Sequence, residues 1–490
     1  MSKIKRVLAI DFGASGGRAI VGSFDGKKIS LEEVHRFSND PVEVLGTVYW
    51  DVLRLFHEVK QGIIKAKAAG GFDSLAVDTW GVDFGLIDEH GALLENPVHY
   101  RDKRTNGILD EAFKLIPREE LYEITGIQFM ELNTVFQLLA LKNTRRHILD
   151  RADKLLFMPD LFTYMLTGKK LTEYSIATTS QIVDIKTGNW SDTVMQKLGL
   201  PSRLLCDIVP SGTIAAPLNA SICEECGIDP VPVISVCGHD TQSALTAVPS
   251  ADKDFAFISS GTWSLFGTEL EKPIVDEKAY AMNITNEGGY GGSIGFLKNI
   301  TGLWLIQESR RHWNRHGGNY SYADLEKLAL EAEPFKSFIN PDAPEFMPHG
   351  NLPRRVKDYC ERTGQSVPES IGEVVRCIYE SLAMKYRLTF EKLMDCTGKN
   401  YPAIHVIGGG VKDTLLCQMT ADACGRKVLA GPIEATVLGN ILVQLLAAGA
   451  IESLEQARQI IADSEQLREH KPENSAQWNA AYENAYPFIK

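Results

Sequence analysis

The chain's 490 residues exceed what one ordinary core holds, and a prior of ~100–200 residues per domain points to two large domains. An apolar share of 44% with 23% charged residues excludes a disordered or fibrous chain. The net charge of −12 argues against a general binder of nucleic acid or acidic membranes, which needs basic surface to attract phosphates, although a local basic pocket stays open.

The N-terminus, MSKIKRVLAIDFG, starts with basic residues as an export signal does, but its apolar run stops at Asp11 and no signal is read. Three apolar runs follow one another: Val7 to Ile10, Ala19 to Phe24 and Ile29 to Phe37. The small-residue turn Gly13 to Gly17 and the pair Asp25-Gly26 separate them, which predicts antiparallel strands joined by tight turns. From about Asp51 to Ala69, Val52, Leu55, Phe56, Val59 and Ile63 recur at helical spacing. A strand over Ser74 to Val77 then leads into DTWGVDFGLID. Cys223 and Cys226 form the one C-x-x-C; with no second pair they read as structural thiols, and nine scattered cysteines suit a reduced cytoplasm.

A strand over Val233 to Val236 ends at Gly238, and a helix over Gln242 to Val248 follows. Near residue 255 the opening plan returns as Phe255 to Ser259, the turn Ser260 to Thr262, and Trp263 to Leu270, an echo that suggests a duplicated core. Further on the chain predicts a helix around Gly302 to His312, a Pro-containing loop from Asn340 to Pro353 and a long amphipathic helix from about Gly372 to Cys396. A strand over Ala403 to Ile407, three glycines, a helix over Thr414 to Cys424 and a largely helical last forty residues complete it. The apolar stretch Ile441 to Ile451 contains Gln444 and falls short of the ~20 residues that span a bilayer.

Four constellations carry chemistry. In DFGASGGR, Asp11 to Arg18, small residues let backbone N–H groups approach an anion, while Asp11 could hold Mg²⁺ through water and Arg18 could add positive charge; a plain glycine hairpin is the alternative. No Walker loop and no dinucleotide fingerprint occurs. In VISVCGHDTQSALTAV, Asp240 or Thr241 falls at the helix N-cap position, so Asp240 is either a cap or a base accepting a proton from a hydroxyl, with His239 beside it. ISSGTWSLFG and IGGGVKDTLL offer a second small-residue turn and a glycine run open to a flat nucleotide. DTWGVDFGLID with YRDKRTNG places aromatic, acidic and basic groups at strand ends as a sugar site requires, against a reading with Trp80 in the core and Arg101 paired to Asp102.

These segments, with MPDLFTYMLTG, LKNITGLWLIQE and GGGVKDTLLCQMTADACG, resemble the FGGY family of carbohydrate kinases, within the actin, hexokinase and Hsp70 ATPase superfamily. The likeness runs in order from Val7 to about Gly449. It implies an α/β fold of two ribonuclease-H-like lobes with ATP and Mg²⁺ in the interlobe cleft. Residues 1–246 would carry the sugar site, the first phosphate loop and the base, and 247–490 the nucleotide site and C-terminal helices, with a hinge near Ala247 to Asp254. It also implies transfer from ATP to the 1-hydroxyl of L-rhamnulose, with L-fuculose or xylulose as alternative acceptors and a non-catalytic ATP switch as the alternative of another class.

Carried over by position, Ala14, Ser15, Gly16, Gly17 and Arg18 would hold ATP phosphates, Asp11 would associate with Mg²⁺ and Asp240 would accept the proton. Gly81, His239, Asp240, Thr241 and Asn299 would line the sugar site, and Thr262, Gln307 and Gly409 would contact the nucleotide. One departure is Gly16-Gly17, where relatives often show Ser-Gly. Relatives can also carry cysteines at Cys360 and Cys377, expected here as thiols. The implied partners are the sugar and ATP, with no nucleic acid and no membrane, in a cytoplasmic monomer or homodimer.

Overall fold

The computed structural model describes residues 4–13 and 16–490. The chain forms two compact units that are discontinuous in sequence: Met1–Ala251, Glu269–Phe296 and Ala435–Glu465 make the first, and Asp252–Thr268, Leu297–Glu434 and Gln466–Lys490 the second.

In the first unit a six-stranded sheet has the neighbour order Thr213–Pro217, Pro232–Ser235, Ser74–Thr79, Lys5–Gly13, Gly16–Phe24, Ile29–Ser38. The three opening strands pair antiparallel as their turns predict, from Lys5 opposite Phe24 to Gly13 opposite Gly16. The next pairing is parallel and needs a crossover, which the helix Val52–Ala68 supplies; Asp51 caps it by accepting from the Arg54 N–H. Strand alternation sends Leu8, Ile10 and Phe12 into one core with Val59, Ile63, Val77 and Phe162. Val7 and Ala9 face the opposite core, built with Leu438, Ile441, Leu442 and Leu445 of the helix Ala435–Ala447. Each such buried Val, Leu, Ile or Phe side chain contributes ~1.5–3 kcal/mol of transfer free energy. The late apolar stretch is therefore largely core helix, and among the described residues no helix is long and apolar enough to cross a membrane.

A seven-stranded sheet begins from the second hairpin. Ala256–Ser260 pairs antiparallel with Ser264–Thr268 and parallel with Ile404–Ile407, and the latter strand pairs parallel with Lys427–Ala430. Each sheet thus sets a hairpin beside a parallel strand that arrives later in the chain, so the echo at residue 255 is a repeated topology. The long helix, Ile371–Thr397, starts at a capping box between Ser370 and Glu373. Two expectations change here. The Asn340 to Pro353 stretch is not all loop, because Pro344–Phe346 forms a 3₁₀ turn and a helix begins at Leu352 with Pro353 in its first turn. The last forty residues include the strand Arg468–His470, whose sequence carries no strand signal and which exists by pairing with Val428–Ala430.

Candidate active site

The turn that carries Asp240 departs from expectation. His239, not Asp240 or Thr241, is the N-cap residue, and its carbonyl accepts from the Gln242 and Ser243 N–H groups. Asp240 takes the first helical position. Its side chain is thereby released from capping, with Oδ1 3.2 Å from the donating Thr241 hydroxyl and 3.5 Å from His239 Nε2. About a third of that side chain, 31%, stays open to solvent. Burial pushes its carboxyl above the ordinary range, His239 pulls it back and the charge of Asp11 adds to the rise.

His239 is held from its other side. Nδ1 lies 3.1 Å from Glu287 Oε2, an ion-pair contact not aligned as a hydrogen bond, and the same oxygen accepts from Gln242 Nε2 at 3.2 Å. Burial disfavours the imidazolium, but the neighbouring carboxylates of Glu287, Asp240 and Glu173 outweigh it and the histidine pKa is raised. Thr79 donates its N–H to the Gly238 carbonyl at 2.9 Å, which brings the loop of Gly81 beside His239. A Cβ on Gly81 would meet Thr179 at 3.2 Å, so only a small residue fits there without displacement.

Parallel register sets Asp11 next to Asp78. Asp11 Oδ2 accepts from Arg18 Nη2 at 2.6 Å across the hairpin, so the arginine expected at a phosphate is already paired with an acid. Asp78 is fully buried; its Oδ2 accepts from Asn440 Nδ2 at 2.6 Å, whereas Oδ1 has no partner. Burial first, then Asp11 and, more weakly, Asp240 raise the Asp78 carboxyl well above its usual range, while the Asn440 bond opposes them. From Asn440 a buried chain continues through Gln444 to Ser74. Among the described residues no group of three or more His, Cys, Asp or Glu side chains is arranged to hold a metal ion. The donors still fit Mg²⁺, which takes hard oxygen ligands, needs only one or two carboxylates and keeps several waters.

Ala14 and Ser15 of the expected phosphate loop lie outside the described residues. Gly17 has a packing reason of its own, since a Cβ there would come within 2.3 Å of the Phe37 ring. Gly13 and Gly16 face each other across the hairpin, and the Asn39 amide donates to the Gly13 carbonyl.

The DTWGVDF segment is organised by Asp83, which no local spacing sets apart from the other acids of DTWGVDFGLID. Its buried carboxylate accepts from Trp50 Nε1 (2.6 Å), Trp80 Nε1 (3.0 Å), the Tyr100 N–H (3.1 Å) and Gln137 Nε2 (3.0 Å). Trp50 packs between Trp80 and His99 with ring centroids 4.1 Å from each. Trp80 is therefore core, as one sequence reading had it. Among the described residues no ion pair joins Arg101 to Asp102: the Arg101 guanidinium lies over the Tyr100 ring, and Asp102 caps the turn at Arg104 and accepts from the Val48 N–H.

Burial raises the Asp83 carboxyl from 3.8 to about 6, against the pull of its donors. A folded-state pKa above the unfolded one means the native state holds its proton longer. The associated stability is complete below pH 3.8, is lost as pH rises to about 6, and amounts to on the order of 3 kcal/mol. Urea unfolding of wild type and Asp83→Asn at pH 4 and 7 should show wild type losing that much relative to the variant; a constant difference would contradict the assignment.

The remaining expected residues lie in the second unit. The Thr262 hydroxyl donates to Gln307 Oε1 at 3.3 Å, which brings these two together. Gly409 is exposed with open space where a Cβ would sit, whereas Gly410 is packed so closely on Ser260 that a Cβ would fall 2.0 Å from its hydroxyl. Gly408 needs the left-handed region, at φ +85°. Asn299 is half-buried on the strand Ile294–Thr301.

Glu173, Glu287 and Asn440 were not found from the sequence, because each reaches the site through contacts remote along the chain.

Residues 6–247 match the N-terminal domain of the FGGY family of carbohydrate kinases and residues 256–448 its C-terminal domain. A rhamnulokinase of Bacteroides thetaiotaomicron is 42% identical over 97% of both chains. One of Halalkalibacterium halodurans is 44% identical over 93% of this chain and 97% of its own. Among solved structures, xylulose kinase from Lactobacillus acidophilus superposes with a TM-score of 0.82 at 17% identity, covering 99% of this chain and 97% of that one. Plasmodium falciparum glycerol kinase with ADP gives 0.78 at 16% identity over 98% of each. The protein belongs to the FGGY family of carbohydrate kinases.

Proposed function

We propose that the protein transfers the γ-phosphoryl group of ATP to O1 of L-rhamnulose, giving L-rhamnulose 1-phosphate and ADP, in the cytoplasm. The observation that carries the reaction type is Asp240: a carboxylate freed from capping, one third open to solvent, and flanked by a histidine that Glu287 holds. The sugar is supported by full-length relatives named rhamnulokinases. The compartment is supported by nine cysteines that are thiols rather than disulfides.

In this reading Asp240 takes the O1 proton as that oxygen attacks phosphorus, and the loose transition state asks more of placement than of base strength. His239, Thr241, Gly81 and Asn299 orient the sugar. The segment from Ala14 to Arg18 receives phosphates, and Thr262, Gln307 and Gly409 receive the nucleoside. Asp11 would hold Mg²⁺ through water, and the chemistry such an ion supplies is neutralisation of phosphate charge.

A coupled ADP-release assay across L-rhamnulose, L-fuculose and D-xylulose tests the substrate. L-rhamnulose should exceed the others in kcat/KM by at least ~10-fold, a margin that a few hydroxyl contacts sustain. Preference for another ketose would replace the sugar and leave the kinase reading standing.

A further inference from the structure

The turn Gly238-His239 is not held by a strand neighbour on both sides, because the strand Pro232–Ser235 has ended and the helix starts only at Asp240. It is held instead by the buried side chain of Glu173. Oε2 accepts the Gly238 N–H at 2.9 Å, the Ser175 hydroxyl at 2.6 Å and the Ile176 N–H at 3.1 Å. Oε1 accepts the Ser175 N–H at 2.9 Å and the Ser211 hydroxyl. The Ser175 hydroxyl in turn accepts the His239 N–H at 3.2 Å. One carboxylate thereby reaches two successive backbone donors of the turn, Gly238 directly and His239 through Ser175. The fit is close: a Cβ on Gly238 would meet Pro159 at 2.9 Å and Glu173 Oε2 at 3.2 Å. Capping the six-residue helix Tyr174–Thr179 needs only the Ser175 and Ile176 N–H groups, so helix formation does not account for the bonds to Gly238 and Ser211.

We propose that Glu173 is a positioning residue for phosphoryl transfer: acting through the Gly238 N–H and through Ser175, it fixes the turn that aims His239 and Asp240 at the acceptor hydroxyl. This rests on the reading of Asp240 as the base. A displacement of ~1 Å at a reacting group costs up to ~100-fold in rate, so loss of the clamp registers in turnover.

The test measures kcat, KM for both substrates and the thermal midpoint of the full chain for Glu173→Gln, Ser175→Ala, Asp240→Asn and the double variant Glu173→Gln/Asp240→Asn. Glu173→Gln should lower kcat by ~10–100-fold with KM for ATP within ~2-fold, and Ser175→Ala, which removes the His239 link and one of the donors to Glu173 Oε2 but leaves the Gly238 bond, by ~3–10-fold. In the double variant Glu173→Gln should add no further loss, because it acts through a base already removed. A purely structural carboxylate would lower the midpoint, leave kcat per folded molecule intact and multiply with Asp240→Asn; any of the last two results overturns the proposal. If Glu173→Gln does not fold, Ser175→Ala decides, and unchanged kcat there overturns it. Near-wild-type turnover in Asp240→Asn would instead overturn the base assignment itself, whatever the Glu173 variants do.

Discussion

Asp240→Asn should lower kcat by ~10²–10⁴-fold, the span over which positioned proton acceptors contribute, while KM for the sugar changes by less than ~3-fold. The side chain keeps its shape, and the Thr241 hydroxyl can still donate to the remaining carbonyl oxygen at the position of Oδ1. Since His239 rather than Asp240 is the cap residue, helix stability should be nearly unchanged and the thermal midpoint should move by no more than ~2 °C. The wild-type rate should also rise with pH through the Asp240 pKa, because only the ionised carboxylate accepts a proton. Burial places that rise above 3.8, the ordinary value. Steady-state kinetics between pH 4 and 8 reads both effects, and turnover near the wild-type rate in the variant would remove Asp240 from the chemistry.

Gly439→Ala should be nearly as damaging by a purely steric route. The helix Ala435–Ala447 crosses the helix Asp240–Thr246 so closely that a Cβ at position 439 would fall 1.7 Å from the Ser243 carbonyl oxygen and 2.5 Å from its carbon. Backbone cannot swing aside as a side chain does, so the two helices must separate. Overpacking of this kind costs ~1–3 kcal/mol or more. The same shift moves Asn440 away from Asp78 and Asp240 away from its acceptor, so kcat should fall by at least ~10-fold in the protein that still folds. Urea unfolding with steady-state kinetics checks this. A variant within 0.5 kcal/mol of wild type and with intact kcat would mean the helices do not cross as closely as they do here.

Much of the architecture is readable from consecutive residues because it is decided there. Asp25-Gly26 closes a hairpin, the small residues Gly13 and Gly16 let two strands meet, the spacing of Val52, Leu55, Val59 and Ile63 writes a helix face, and the return of strand, small-residue turn and strand at Phe255 marks the second sheet. Arg468–His470 was illegible for the opposite reason: three polar residues become a strand only by meeting Lys427–Ala430. The cap falls at His239 rather than at Asp240 or Thr241, against side-chain capping preference, because the turn is set by contacts from Thr79 and Glu173.

Resemblance of the ordered motifs to the FGGY family determined the kind of protein from the sequence by itself; the chemistry of the residues alone left Asp240 open between a cap and a base, and the segment after Asp11 between a phosphate turn and a plain hairpin. What Asp240 is free to do was decided only by tertiary structure. Glu173 lies 65 residues from Gly238, and Asn440 lies 362 from Asp78. Burial and hydrogen bonds across such separations set which carboxylates are clamped, which are pushed above their ordinary pKa and which remain open. Local sequence pattern does not register those terms, because they arise only when folding removes both partners from water.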